Sequence, residues 1–501
     1  MSAQVWQRPF GAVSLGEGRA EFRVWAPAGQ PTLLLRREEH RLTDAGDGVW
    51  EAQVEAAEGD DYRYRLNGPE WPDPASRFQP EGVRGPSRVV DTSRFSLAPG
   101  PELELEELTI YEVHVGTFSP EGTFDGVIPR LGALRELGVT AIELMPVATF
   151  PGDRGWGYDG VYAYAPHPAY GGPEGLARLI DAAHRAGLAV LLDVVYNHIG
   201  PGSEAIGAFG PYFTARHHTF WGDAIDYSQR GVREWAIGNA ELWIRDYRVD
   251  GLRLDAVHAV YDDSPTHVLK ELRDRVKALN ENAFVISEMG PDDFRPLDEW
   301  DHDAMWLDSL HHELHVLLTG EREGYYEAFG SMDGLLRELR RPRPERLVVA
   351  AQNHDQVGNR AVGDRLPPDV HRVALAVVLF STATPLLFMG EEYDESRPFQ
   401  FFTDHIDPFI ADATREGRRR EFARFSAFSG EEVPDPQAPE TFARSKLAPR
   451  DPDPLYRDLL RLRRELPREL EATADGNVLT LRRGRATLVA DMDNKTVELR
   501  T

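Results

Sequence analysis

The chain has 501 residues, more than one ordinary domain holds, so a large central unit with smaller companions is expected. Its composition, 41% hydrophobic and 28% charged with ten Trp, suits a globular protein with a sizeable core. A net charge of −27 repels phosphates and anionic lipids, which argues against nucleic acid and membrane partners and leaves neutral ligands such as sugars. The chain opens with MSAQVWQRPFGAV, which lacks the basic flank and the apolar run of a secretory signal. With no Cys to form disulfides, the expected compartment is the cytoplasm.

Residues 1–92 carry short alternating runs at 21–25, 32–35 and 61–66, separated by turn signals such as Asn67-Gly68. That pattern predicts a small antiparallel β-sandwich of immunoglobulin-like build. From 93 to 450 apolar runs alternate with helical stretches. Strands are predicted at 108–113, 141–145, 189–195, 251–254, 283–286, 305–307, 347–351 and 386–389, and helices at 131–137, 174–186, 232–247, 267–279 and 373–380. Eight strands with helices between them are the count for a (β/α)8 TIM barrel. Long loops follow the second strand (146–173) and the third (198–230), and long structured loops in a compact domain usually carry function. Residues 451–501 predict a short β-rich unit, with a turn at Gly484-Arg485.

Active sites of such barrels lie at the C-terminal ends of the strands. Strand three ends in Asp193-Val194-Val195-Tyr196-Asn197-His198, strand four in Arg253-Leu254-Asp255-Ala256-Val257-His258, strand five in Ser287-Glu288, and strand seven in Asn353-His354-Asp355. Three carboxylates, Asp255, Glu288 and Asp355, therefore point into one mouth. Glycoside cleavage needs such a set: one acid protonates the leaving oxygen, and one carboxylate traps the oxocarbenium-like centre. Arg253 shares the face of Asp255 two residues on, where its charge would orient that carboxylate. His198 and His354 can donate to sugar hydroxyls, and Asp355 can grip two of them as the ring distorts.

These segments resemble the signature regions of the α-amylase superfamily of glycoside hydrolases. The resemblance implies Asp255 as nucleophile, Glu288 as acid/base and Asp355 as transition-state stabiliser, with Arg253, Asp193, His198 and His354 in supporting places. It implies that Tyr158, in Gly157-Tyr158-Asp159, stacks on the cleaved sugar, and Trp156 and His258 join it as substrate-contact candidates. Longer runs, among them Glu143-Leu144-Met145-Pro146-Val147, His311-His312 and Gly390-Glu391-Glu392-Tyr393, are similar to those of the superfamily's trehalose-releasing members. The implied substrate is maltooligosyltrehalose and related α-glucans, cut at the α-1,4 bond beside the terminal trehalose unit. A branching transferase, or a plain α-amylase-type hydrolase, shares the three acids and is the alternative; a non-catalytic scaffold would typically have lost one of them. Ser309-Leu310 departs from the family pattern, where acidic and aromatic residues are usual, and so does Met289. Further loop candidates near the mouth are Asp153, Trp221, Asp226, Asp262, Asp263, Glu321, Glu391 and Glu392, with the aromatics Tyr162, Tyr164 and Tyr170. Asn197 matches a calcium ligand of some amylases, but the loop after strand three lacks a carboxylate cluster to complete such a site. No metal and no cofactor is expected.

Overall fold

The computed structural model of the chain describes residues 5–219, 222–290, 292–422 and 433–501. The first ninety or so residues form two antiparallel sheets. One orders Gly11–Gly16, Arg19–Trp25, Val49–Glu55 and Thr43–Gly46; the other orders Glu38–Arg41, Thr32–Leu35, Asp61–Arg65 and Glu70–Trp71, with Ser87–Arg88 added on Asp61–Arg65. In Asp61–Arg65 every second residue is buried, and Tyr62 packs edge-on to Phe22 of the other sheet at 4.9 Å. Asn67 (φ 53°) and Gly68 (φ 111°) both sit in the left-handed region, which a two-residue primed hairpin turn demands.

The centre is a closed parallel barrel whose strands follow chain order: β1 Ile110–Val113, β2 Ala141–Leu144, β3 Ala189–Val194, β4 Gly251–Leu254, β5 Phe284–Ser287, β6 Ala304–Trp306, β7 Leu347–Ala350 and β8 Thr384–Phe388, with β8 closing on β1. All eight lie where the apolar runs place them. Ile110, Ala141, Leu191, Ile286, Ala304, Val348 and Leu386 form an apolar plug separate from the main core. Counting on by twos along the strands, the same inward parity carries Glu112, Glu143, Asp193, Arg253, Asp255, Glu288 and Asp308 to the upper end. The barrel floor is therefore oily and its mouth charged. Both long loops are structured: the first contains the hairpin Ala148–Thr149 and Tyr162–Pro166, the second the helix Glu204–Phe209 and the hairpin Phe213–Thr219 and Gly222–Ile225.

Helix Pro454–Glu465 was not foreseen. It packs on the barrel: Arg463 donates to the Ser381 carbonyl at 2.7 Å and Arg464 to that of Gly138 at 2.7 Å. The four-stranded antiparallel sheet follows, over Glu471–Asp475, Val478–Arg483, Ala486–Asp491 and Thr496–Arg500, with Gly484 (φ 51°) in its central turn. We therefore propose drawing the C-terminal unit from Glu471 rather than from residue 451.

Under this helix His371 is wedged between Asp394 (2.6 Å) and Glu391 (3.0 Å), with the Tyr456 hydroxyl at 3.3 Å. Burial opposes its charge, but the hydrogen bonds and charges of Asp394 and Glu391 outweigh that and hold its pKa at about 9. The folded ring thus binds its proton more tightly than the unfolded one, whose pKa is about 6.5. The stabilisation, on the order of 3 kcal/mol, is complete below about pH 6.5 and lost as pH rises through about 9. His371→Gln should accordingly cost most stability at about pH 6 and little at about pH 10, measured by equilibrium unfolding. An equal loss at both values would contradict the ion-paired assignment.

Candidate active site

One arginine organises the mouth. Arg253 is fully buried, and its Nη1 donates to Asp193 Oδ2 at 2.7 Å and to Asp255 Oδ1 at 2.8 Å. Its Nη2 lies 2.9 Å from Glu288 Oε2, and its guanidinium rests 4.2 Å above the Trp306 ring. Burial disfavours the cation, but Asp193, Glu288, Tyr158 and Asp255 more than compensate and push its pKa above the usual value. Asp255 receives a second donor, Asn197 Nδ2, on its other oxygen at 2.7 Å. Asn197, similar to a calcium ligand elsewhere, here orients the nucleophile candidate instead. Among the described residues no group of three or more His, Cys, Asp or Glu is arranged to hold a metal ion.

Just beyond Asp255 the backbone turns left-handed at Ala256 (φ 41°), an uncommon conformation for a residue with a Cβ. The turn aims the Ala256 N–H at Glu288 Oε2, 2.7 Å away, and the Val257 N–H at the Glu288 carbonyl, 3.0 Å away. Asp255 and Glu288 are thus joined twice, through one guanidinium and through the strained turn.

Across the mouth, Asp355 lies in the helix His354–Gly358, its side chain 40% exposed, held by Asn359 Nδ2 at 2.9 Å and with His354 Nε2 at 3.4 Å. His354 is buried. Its backbone N–H and its Nδ1 meet the two oxygens of Glu112, at 3.0 and 2.5 Å. Burial works against the imidazolium, but Asp355 and Glu112 prevail and raise its pKa to about 10. The Tyr158 ring stacks on His354 with centroids 5.0 Å apart, and its hydroxyl donates to Asp193 Oδ2 at 2.6 Å. Gly157 allows this placement: it has φ 102°, and a Cβ there would stand 2.0 Å from the Pro146 carbonyl oxygen. Asp193, despite its arginine, is pushed up to about 7, chiefly by burial.

The structure thus gathers Asp255, Glu288, Asp355, Arg253, Asp193, Tyr158 and His354 around one mouth. The remaining candidates, His198, Trp156 and His258, neighbour this set. His198 is buried, its ring nitrogens on the Asn197 side-chain oxygen and, at 2.8 Å, on the Tyr158 carbonyl, so it braces the wall. Burial first of all lowers its pKa to about 4. Trp156 is 5% exposed, stacked on Phe399 at 5.1 Å, with its Nε1 on the Gln400 carbonyl. It packs beneath His354 and offers no open face for a sugar. His258 stands exposed on the short turn Val257–Ala259 after Asp255.

Several loop candidates prove structural. Tyr162, Tyr164 and Tyr170 are core. Glu391 pairs with His371, Glu392 accepts from Tyr111, and Asp262 pairs with Arg233. Asp226 is hydrogen-bonded by Arg216 and Ser228, and Glu321 by His315 and Arg360. Trp221 lies outside the described residues.

Sequence reasoning missed Glu112 and Asp308. Asp308 opens the helix Asp308–Thr319 and accepts from Gln356 Nε2 at 3.1 Å. Burial, then the charges of Glu288 and Asp355, push its carboxyl up to about 7. It stands one residue before the departure at Ser309-Leu310. The inward parity of Ala304 and Trp306, continued by two, points to it.

Comparison with known proteins agrees with this fold. Residues 80–209 match the family model described as alpha amylase, catalytic domain. A crystal structure of a Salmonella typhimurium protein described as an α-amylase superposes with a TM-score of 0.86 at 37% identity, covering 96% of this chain and 92% of that one. Fold and site define a glycosidase of the α-amylase type. A malto-oligosyltrehalose trehalohydrolase from Deinococcus radiodurans is 42% identical over 519 residues, 93% of this chain and 86% of that protein. A 1,4-α-glucan branching enzyme from Mesorhizobium japonicum is 31% identical over 283 residues, only 48% of this chain and 38% of its own length. The chain belongs to the malto-oligosyltrehalose trehalohydrolase family. No helix among the described residues is long and apolar enough to cross a membrane.

Proposed function

We propose that the enzyme hydrolyses the α-1,4 bond joining a maltooligosaccharide to a terminal trehalose unit, with Asp255 as nucleophile, Glu288 as acid/base and Asp355 as stabiliser of the transition state. Asp255 attacks the anomeric carbon of the glucose bonded to trehalose while Glu288 gives its proton to the departing trehalose oxygen. Water, losing a proton to Glu288, then releases the maltooligosaccharide and regenerates both groups. Asp355 grips hydroxyls of the distorting ring, and Tyr158 stacks on its face. The observation that carries this reading is the single guanidinium of Arg253 spanning Asp255 and Glu288 on neighbouring strand ends. The setting we infer is the cytoplasm, where a cysteine-free chain loses nothing by going without disulfides.

Incubation with maltotriosyltrehalose beside maltopentaose, with chromatography of the products, tests the substrate. Free trehalose plus maltotriose, with maltopentaose barely touched, is the expected pattern. Equal cleavage of both would transfer the activity to an amylase, and chain transfer without new reducing ends to a branching enzyme. Proton NMR of the freshly released maltotriose should show the α-anomer, since a covalent intermediate requires net retention.

A further inference from the structure

Glu112 is the penultimate residue of β1 and is 1% exposed. Both its oxygens are spent on one residue: Oε2 accepts the backbone N–H of His354 and Oε1 meets its Nδ1. We propose that Glu112 is a positioning residue for the hydrolysis, clamping His354 so that its Nε2 edge faces Asp355 and the reacting sugar. The proposal rests on the assignment of Asp355 made above.

The clamp fixes two things at once. A carboxylate on Nδ1 leaves that nitrogen no choice but to carry a proton, so Nε2 is turned toward the mouth with its own hydrogen-bonding role set by Asp355, 3.4 Å away. The ring plane is set by Tyr158 stacked at 5.0 Å and by the Trp156 and Trp306 rings at 5.7 and 6.0 Å. Charge completes the argument. Glu112 and Asp355 face the ring directly and favour the imidazolium, whereas Arg253 opposes it. Asp193 from β3, Glu143 from β2 and Asp308 beyond β6 also feel its charge, as does His114 after β1. Glu143 itself is buried among these groups with neither oxygen hydrogen-bonded among the described residues, and burial raises its pKa far above the ordinary range. Of these two neighbouring buried carboxyls, Glu112 is the one that meets the ring.

Glu112→Gln keeps the shape but removes the charge, and its amide must present N–H to one of the two donors. It should lower kcat by about 100-fold, the cost of a misplaced reacting group, while KM changes by less than about threefold. Glu112→Asp, which keeps the charge, should recover part of kcat. The spectroscopic readout is independent of activity: a far-downfield imidazole N–H proton resonance, assigned by its loss in His354→Gln, should persist in the wild-type enzyme to about pH 9 and vanish in Glu112→Gln. Wild-type kcat in a folded Glu112→Gln enzyme, or a parallel loss of kcat and binding with the resonance intact, would overturn the proposal. If neither Glu112 variant folds, the wild-type spectrum decides: a His354 ring that loses its proton near its ordinary value of about 6.5 refutes the clamp. Failure of the trehalose-release assay with the resonance present would instead strike at the function and leave the clamp standing.

Discussion

Asp255→Ala should reduce trehalose release by roughly 10⁴-fold or more while the protein stays folded. Removal of a nucleophile takes away the covalent intermediate itself, so no other group on the site substitutes for it. The fold should tolerate the change, because Arg253 keeps Asp193 at 2.7 Å and Glu288 at 2.9 Å as counter-charges. Asn197 also keeps its hydrogen bond to the backbone carbonyl of residue 255, now 2.8 Å long. Thermal unfolding of the variant checks the first half of this expectation and initial rates the second. Added azide, small enough for the space the carboxylate vacates, should restore some turnover and yield a glycosyl azide of inverted configuration. Residual activity above about one per cent of wild type would remove Asp255 from the nucleophile's role.

The second large effect concerns Arg253. Replacing it by Met preserves volume but leaves Asp193, Asp255 and Glu288 gathered in a buried space with no cation among them. Breaking a buried ion pair from one side typically costs about 3–5 kcal/mol, because the remaining charge is uncompensated. Here the penalty falls on three carboxyls, one of which, Asp193, is already raised to about 7 by its burial. Arg253→Met should therefore lose about 3–5 kcal/mol of unfolding free energy at about pH 8 and also be inactive. At about pH 5 the loss should shrink, since carboxyls that have taken up protons no longer need the arginine. Asp193→Asn in the same background should return part of the stability. Denaturant unfolding at the two pH values decides the matter; a pH-independent loss would mean that Arg253 acts through packing on Trp306 alone.

Legibility followed the kind of signal. The barrel strands could be read because parallel strands buried on both faces are continuous apolar runs, and the hairpin at Asn67-Gly68 because its residues are specific to the turn. The three carboxylates and Arg253 were legible because each sits close to a strand end, and Tyr158 because the run Gly157-Tyr158-Asp159 resembles a family motif. What sequence hid were partnerships across the chain. Trp156 in a loop reads as a sugar platform, and only the arrival of Phe399 shows that its face is covered. Glu391 and Glu392 read as loop acids near the mouth until His371 and Tyr111 meet them. Asp308 was lost because β6 spans only Ala304–Trp306, too short for its parity to be noticed. Helix Pro454–Glu465 was lost because its Arg-rich outer face conceals the stripe of Tyr456, Leu459, Leu460 and Leu462.

The ladder between β3 and β4 sets Asp193 directly beside Arg253. A slip of one residue in that ladder would put Asp193 against a leucine and part it from the guanidinium. An apolar barrel wall gives no such veto, since Leu, Val and Ile pass for one another at neighbouring steps. The charged rung therefore acts as a proofreading mark during closure of the barrel: the alignment in which the buried charges cancel is also the alignment that assembles the catalytic mouth.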